Sequence, residues 1–199
     1  MIKILLSLML AANCHAAQAG KEKKNVQPKT RPATIEGVCD FDMPYSWTLE
    51  EKPYARQTGV VGLKLAAPDS SSENPAIIYA DYYPADNKIG VSSATYMERL
   101  TAKGTLNPTG RKAGKPHAAA LGALKASAVE IESVSLYPPE AMNPRKIVVK
   151  EKVVVAGTDG GFFVLSCYAA KARYRQVCAS LDSALKTFRL LPTAQPKTR

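Results

Sequence analysis

The sequence predicts an α+β fold, with a largely antiparallel sheet of about seven strands flanked by two helices. Three observations predict it. Short β-branched and aromatic runs recur, joined mostly by turn-forming residues rather than by helical stretches. Only two segments carry an apolar stripe at spacings of three and four. The second of these follows directly on a hairpin, within Lys146–Leu191, and can bury its stripe only against that hairpin.

The closing unit organises the rest. Val153–Val155 and Phe162–Cys167 suit a pleated, buried surface. Between them, Gly157-Thr158-Asp159-Gly160-Gly161 supplies residues that tolerate positive φ, so a hairpin is expected. A loop over AKARYRQ follows, and then a helix with Cys178, Leu181, Leu185 and Phe188 on one stripe, stopped by Pro192.

At the other end, Lys3 precedes an apolar run, Ile4–Ala12, far shorter than the ~20 residues a spanning helix needs. Ala17-Gln18-Ala19 then offers small residues where a signal peptidase reads them. Residues 1–19 are therefore expected to be a secretory signal cleaved before Gly20. Cys14 follows the apolar run as a lipid-bearing cysteine would, but Asn13 before it departs from the Leu-Ala-Gly-Cys pattern of such sites. Residues 20–34 are rich in Lys and Pro without apolar periodicity, and are expected to be a disordered basic leader. One domain is expected over 35–192, and a disordered tail over 193–199.

The body reads as alternating strands. Cys39, Phe41 and Met43 fall on one face, with Asp40 and Asp42 on the other. Trp47 and Leu49 open a short extended piece after Pro44. Val61, Leu63 and Leu65 give another strand, closed by the turn-rich loop PDSSSENP. Ala76–Tyr83 gives a third. Ser92–Lys103 is predicted helical, capped by Ser92 or Ser93, with Tyr96, Met97 and Leu100 facing inward and Gly104 past its end. Residues 104–116 form a long basic loop with no predicted structure. His117–Tyr137 holds two strands, one over AAALGALKA and one carrying Val129 and Ile131.

The net charge of +10 is concentrated at the ends. Residues 1–33 carry six Lys/Arg against one Glu, and Lys197 and Arg199 add two more. The body, 34–192, holds 19 Lys/Arg against 16 Asp/Glu. A nearly neutral body argues against nucleic acid as partner, which calls for a basic face on the folded part. Residues 20–33 are expected to give at most a weak contact with an anionic surface.

Few side chains form a chemical constellation. His117 is the one histidine after the signal segment, at a loop-to-strand boundary. A pairing with Cys39 or a serine is the route to hydrolysis, but Cys39 is predicted inward, the wrong setting for a thiolate. Ser183-Ala184-Leu185-Lys186 has serine–lysine spacing without its companion motifs. Zinc spacing is absent, and DYYPADN, with Asp81, Asp86 and Asn87, lacks the calcium-loop pattern and reads as a turn after an edge strand. No cofactor and no metal is expected.

The cysteines carry more information. Cys167 shares a strand face with Phe163 and Leu165, and Cys178 lies on the helix stripe. Packing the helix on that face turns the two sulphurs toward each other, and in an oxidising compartment they are expected to bond. Three buried free thiols are the alternative. In the preceding loop, Lys171, Arg173, Tyr174 and Arg175 are candidate partner-binding residues, since arginine and tyrosine are favoured interface anchors.

The order of features resembles a known family. Phe41, Pro44 and Trp47 open the body; a sheet, a Tyr-bearing helix and a second sheet follow; the FFVLSCYA strand and a helix ending Thr187-Phe188-Arg189 close it. This layout, over about residues 35–191, resembles the PsbP-like and DcrB-like α/β/α sandwich proteins, many of them small secreted or periplasmic domains. The resemblance implies an antiparallel sheet flanked by helices, used for binding or assembly rather than catalysis. No binding residue carries over, and the 104–116 loop and the cysteine pair have no counterpart in the pattern. The expectation is a secreted or periplasmic non-catalytic binding or adaptor protein, whose partner is a protein or envelope component. The alternative is a small envelope hydrolase using His117.

Overall fold

The computed structural model describes residues 30–52, 55–102 and 110–192. The expected signal segment with Cys14, the leader up to residue 29, residues 104–109 of the basic loop and the 193–199 tail lie outside the described residues. Among those described, eleven strands and three helices follow in order. They are β1 (Thr30–Ile35), β2 (Cys39–Pro44), β3 (Thr48–Glu51), α1 (Ala55–Thr58), β4 (Val61–Ala66), β5 (Ala76–Pro84), α2 (Ser93–Thr101), β6 (Lys112–Ala113), β7 (His117–Leu121), β8 (Leu124–Tyr137), β9 (Arg145–Thr158), β10 (Gly161–Ala170), α3 (Tyr174–Thr187) and β11 (Arg189–Leu190).

All strand pairings are antiparallel. The large sheet runs β3-β4-β5-β10-β9-β8-β6, with β7 also pairing with β8, and a small sheet runs β1-β2-β11. The expected hairpin is β9–β10, with Val164 opposite Val155 and Cys167 opposite Lys152. Strand alternation then sorts two cores. Phe163, Leu165, Cys167 and Ala169 face α3 and the small sheet, packing with Phe41, Leu181 and Phe188. Phe162 and Val164 face the other way and pack with Val153, Val155, Val129 and the Tyr96–Met97–Leu100 side of α2. Helices on both faces of an antiparallel sheet give the α+β sandwich that the sequence predicts.

Several elements differ from expectation for identifiable reasons. The leader was expected to be disordered to residue 34, yet Thr30–Ile35 pairs with β2 and buries Ala33 and Ile35. Its Pro32 is tolerated because β1 is an edge strand. The 104–116 loop carries β6, whose Lys112 and Ala113 pair with Glu132 and Ile131. The stretch AAALGALKA is not one strand but a hairpin, turning at Gly122 between Leu121 and Leu124. The strand ending in DYYP is central rather than an edge, held between β4 and β10. Helix α3 starts at Tyr174, so Tyr174 and Arg175 belong to its first turn rather than to a loop. It ends at Thr187, before Pro192, because Phe188 turns extended (ψ 132°) and sends Arg189–Leu190 to pair with Asp40 and Cys39. Ser92 is the cap of α2, its hydroxyl accepting from the Thr95 N–H at 3.2 Å.

Candidate functional site: the open face of the large sheet

Helix α2 is too short to cover the sheet beneath it. Its nine residues span ~14 Å, at a rise of about 1.5 Å per residue. Strands β8 and β9 have 14 residues each and run ~46 Å, at about 3.3 Å per residue. The strand sequences register this limit. On the α2 face, β10 changes from Phe162 and Val164 to Ser166 and Tyr168, and β8 changes from Val129 and Ile131 to Ser133 and Ser135; between them β9 places Glu151 after Val155 and Val153, then returns to the buried Val149. Strands β8 and β10 thus switch from apolar to polar along a slanting line across the sheet, with Glu151 of β9 between them.

Beyond that line lies a groove of about 550 Å³, walled by the loop from Pro68 to Ser72 and floored by Ile77, Tyr168 and Ser135. Lys64 stands at its rim, 3.1 Å from Glu50 on the neighbouring strand. The half-buried Tyr168 offers a flat ring and a phenol, and burial raises its pKa above the usual range, opposed by a hydrogen bond with Ser135. The lining is hydroxyl-rich, with one aromatic floor and one ion pair at the edge, a set that orients a ligand by hydrogen bonds and stacking.

Buried charge marks the boundary between groove and core. Asp81 is 5% exposed, and the Lys52 ammonium donates to both its oxygens, at 2.8 and 2.9 Å. Burial raises the Asp81 carboxyl above its ordinary range, and the Lys52 charge and hydrogen bond pull it back. Gly62 lies opposite Asp81 in register, and a Cβ there would run into Asp81 Oδ1. Lys52 also sits over the Tyr79 ring, 5.1 Å from its centroid. Across the sheet, burial raises the Glu151 carboxyl, opposed by the Ser166 hydrogen bond and the charge of Arg111. Arg111 in turn donates to the Leu100 carbonyl at the end of α2, at 2.6 Å.

The residues singled out in the sequence sit elsewhere. His117 is exposed on β7, while Cys39 is fully buried between the sheets, its thiol pushed up to about 12, mainly by burial. The two are not brought together as a dyad: a thiol so held supplies no thiolate at neutral pH. Ser183 and Lys186 are exposed on α3. Among the described residues, no three His, Cys, Asp or Glu side chains converge as a metal site. Asn87 is a turn residue, its side chain bonded to the backbone of Pro84 and Val91.

Around the start of α3, Lys171 and Arg175 are exposed, whereas Arg173 and Tyr174 are half-buried. Arg173 donates to Asp69 at 2.8 Å, Lys171 pairs with Glu132 at 3.5 Å, and Lys150 lies over the Tyr174 ring. The four candidates thus divide between packing and solvent. Cys167 and Cys178 do come together, their sulphurs 2.9 Å apart, longer than the about 2.05 Å of a bond. Sequence reasoning missed the groove because its residues are scattered over five strands and a loop. The usable signal was the apolar-to-polar switch within β8 and β10.

No family model matches the chain, and no curated protein matches it. Among solved structures, the chain is similar to the solution structure of cyanobacterial PsbP (CyanoP) from Synechocystis sp. PCC 6803. The identity is 13% and the TM-score 0.48, over 87% of this chain and 99% of that one. It is also similar to LpqN, involved in cell envelope biogenesis of Mycobacterium tuberculosis, at 17% identity and a TM-score of 0.41, over 82% of this chain and 91% of that one.

Proposed function

We propose that this protein is an extracytoplasmic, non-catalytic binding or adaptor protein, and that the groove floored by Ile77 and Tyr168 is where it holds an envelope component. The observation that carries the reading is the polar switch along β8 and β10, with Glu151 of β9 between them, which leaves a shaped, hydroxyl-lined surface on the sheet where a core would otherwise require cover. The Lys3, Ile4–Ala12 and Ala17-Gln18-Ala19 pattern supports export. The seclusion of Cys39 from the exposed His117 counts against the cysteine form of the hydrolase alternative, whose other form pairs His117 with a serine.

The test compares capture from envelope extracts by wild-type protein, by Tyr168→Ala and Ser71→Arg in the groove, and by Arg175→Ala outside it. The reading expects a component held by wild type and by Arg175→Ala but reduced at least tenfold by both groove variants. Equal capture by all four proteins, or loss with Arg175→Ala alone, overturns it. Export is checked separately by fractionation and by sequencing the mature amino terminus, expected at Gly20.

A further inference from the structure

Two rungs join α3 to the sheet. Cys178 and Asp182 are four residues apart, on one face of the helix. Cys167 and Lys152 are cross-strand partners on the sheet below. Cys178 meets Cys167 at 2.9 Å, and Asp182 accepts from the Lys152 ammonium at 2.8 Å. The two sulphurs differ in setting. Cys167 is fully buried in β10, whereas Cys178 is half-buried at the helix edge.

We propose that Cys167 and Cys178 form a reversible dithiol–disulfide site in which Cys178 is the sulphur that exchanges with an external disulfide. Access favours Cys178, and so does charge. Its thiol is pulled down first by the hydrogen bond from Cys167 and further by Tyr174 and the Lys152 ammonium, against the opposing effect of burial. Cys167 is pushed up by holding that hydrogen bond and by burial, so it keeps its proton. The exchange balances as follows. The Cys178 thiolate attacks a disulfide of low molecular weight or of an oxidoreductase, forming a mixed disulfide and releasing one thiolate. Cys167 then loses its proton, attacks the Cys178 sulphur and expels the second thiolate. Two thiols become one disulfide, and their two protons pass to the two expelled thiolates, so the external disulfide is reduced to two thiols. The product fastens α3 to β10, and through β11 the small sheet to the large one.

The full chain is incubated in glutathione buffers of graded ratio, followed by alkylation and peptide mapping. The wild type is expected to show a Cys167–Cys178 linkage that appears and disappears within the series. Cys167→Ser, or Cys167→Ala where a buried hydroxyl prevents folding, is expected to accumulate a glutathione adduct at Cys178. Adding Lys152→Met is expected to slow that adduct several-fold. Cys178→Ser is expected to leave Cys167 unmodified while folded. A wild type showing no such linkage at any ratio overturns the proposal. So does an adduct that forms on Cys167 in Cys178→Ser while Cys178 stays bare in the Cys167 variants. A linkage that persists across the whole series makes the bond purely structural and overturns the exchange role.

Discussion

Gly122 donates its backbone N–H to the carbonyl of Leu185 at 2.7 Å, so the tip of the β7–β8 hairpin closes the last turn of α3. The carbonyls of a helix's last turn have no partner within the helix, and a neighbouring turn that supplies a donor removes that cost. Two constraints select glycine here. Its φ is +55°, in the left-handed region, and an added Cβ would collide with the Phe188 carbonyl. Gly122→Ala is therefore expected to destabilise the protein by about 2–4 kcal/mol, since the left-handed penalty and a forced backbone shift act together. Urea unfolding followed by circular dichroism measures it. Lys125→Ala, at an exposed site on the same hairpin, is expected to stay within about 0.5 kcal/mol of wild type.

The Lys52–Asp81 pair gives a prediction with a sign in pH. Lys52→Met leaves a buried carboxylate without its cation and is expected to cost about 3–5 kcal/mol at neutral pH, with side-chain exposures of only 16% and 7% for the pair. In the variant the Asp81 carboxyl, already raised by burial, loses the charge that lowers it. A folded-state pKa above the unfolded value favours the protonated fold. Stability of Lys52→Met should thus recover as pH falls through the folded pKa toward the unfolded value of 3.8. Adding Asp81→Asn should recover much of the loss at pH 7 without acid.

Cys39 predicts behaviour at the alkaline end. Its thiol stands near 12 in the fold against 9.0 for the ordinary group, chiefly through burial. The raised value means that its contribution is fully present below pH 9 and is lost between pH 9 and about 12, as the unfolded chain ionises first. One such proton is worth about 1.4 kcal/mol per pH unit. Half-buried tyrosines such as Tyr83 and Tyr96 act in the same direction, so the difference between proteins is what counts. Cys39→Ala is expected to lose stability less steeply than wild type across that window, in urea midpoints taken from pH 8 to 11.

The fold was legible where local patterning and tertiary need coincide. Alternation in Cys39–Met43 and the stripe through Leu181 and Leu185 each mark a face that must be buried, and each was buried as expected; the glycine-rich turn before Phe162 marks a hairpin, and β9 and β10 form it. The sulphurs of Cys167 and Cys178 met for the same reason. What stayed hidden depends on pairing at a distance. Residues 30–34 look polar and proline-bearing when taken alone, and β11 is two residues long; both are strands only because β2 presents open edges to them. Asp81 resembled a turn residue until β4 and β10 enclosed it, with Gly62 leaving room for its carboxylate.

The strand that composition concealed also provides a test of how firmly it is held. Ile35 is 2% exposed, packed in the core shared by Phe41 and Leu181, whereas its neighbour Thr34 points to solvent on the same strand. A polar leader that merely rested on the surface would make both positions equally dispensable. Integration into the small sheet makes them unequal. Ile35→Ala should remove about 2–4 kcal/mol, through lost transfer energy and the cavity left behind, while Thr34→Ala should change stability by less than about 0.5 kcal/mol. Thermal and urea unfolding of the two variants side by side measure the contrast. Equal, small effects at both sites mean that β1 contributes nothing to the core and that the folded body begins at β2.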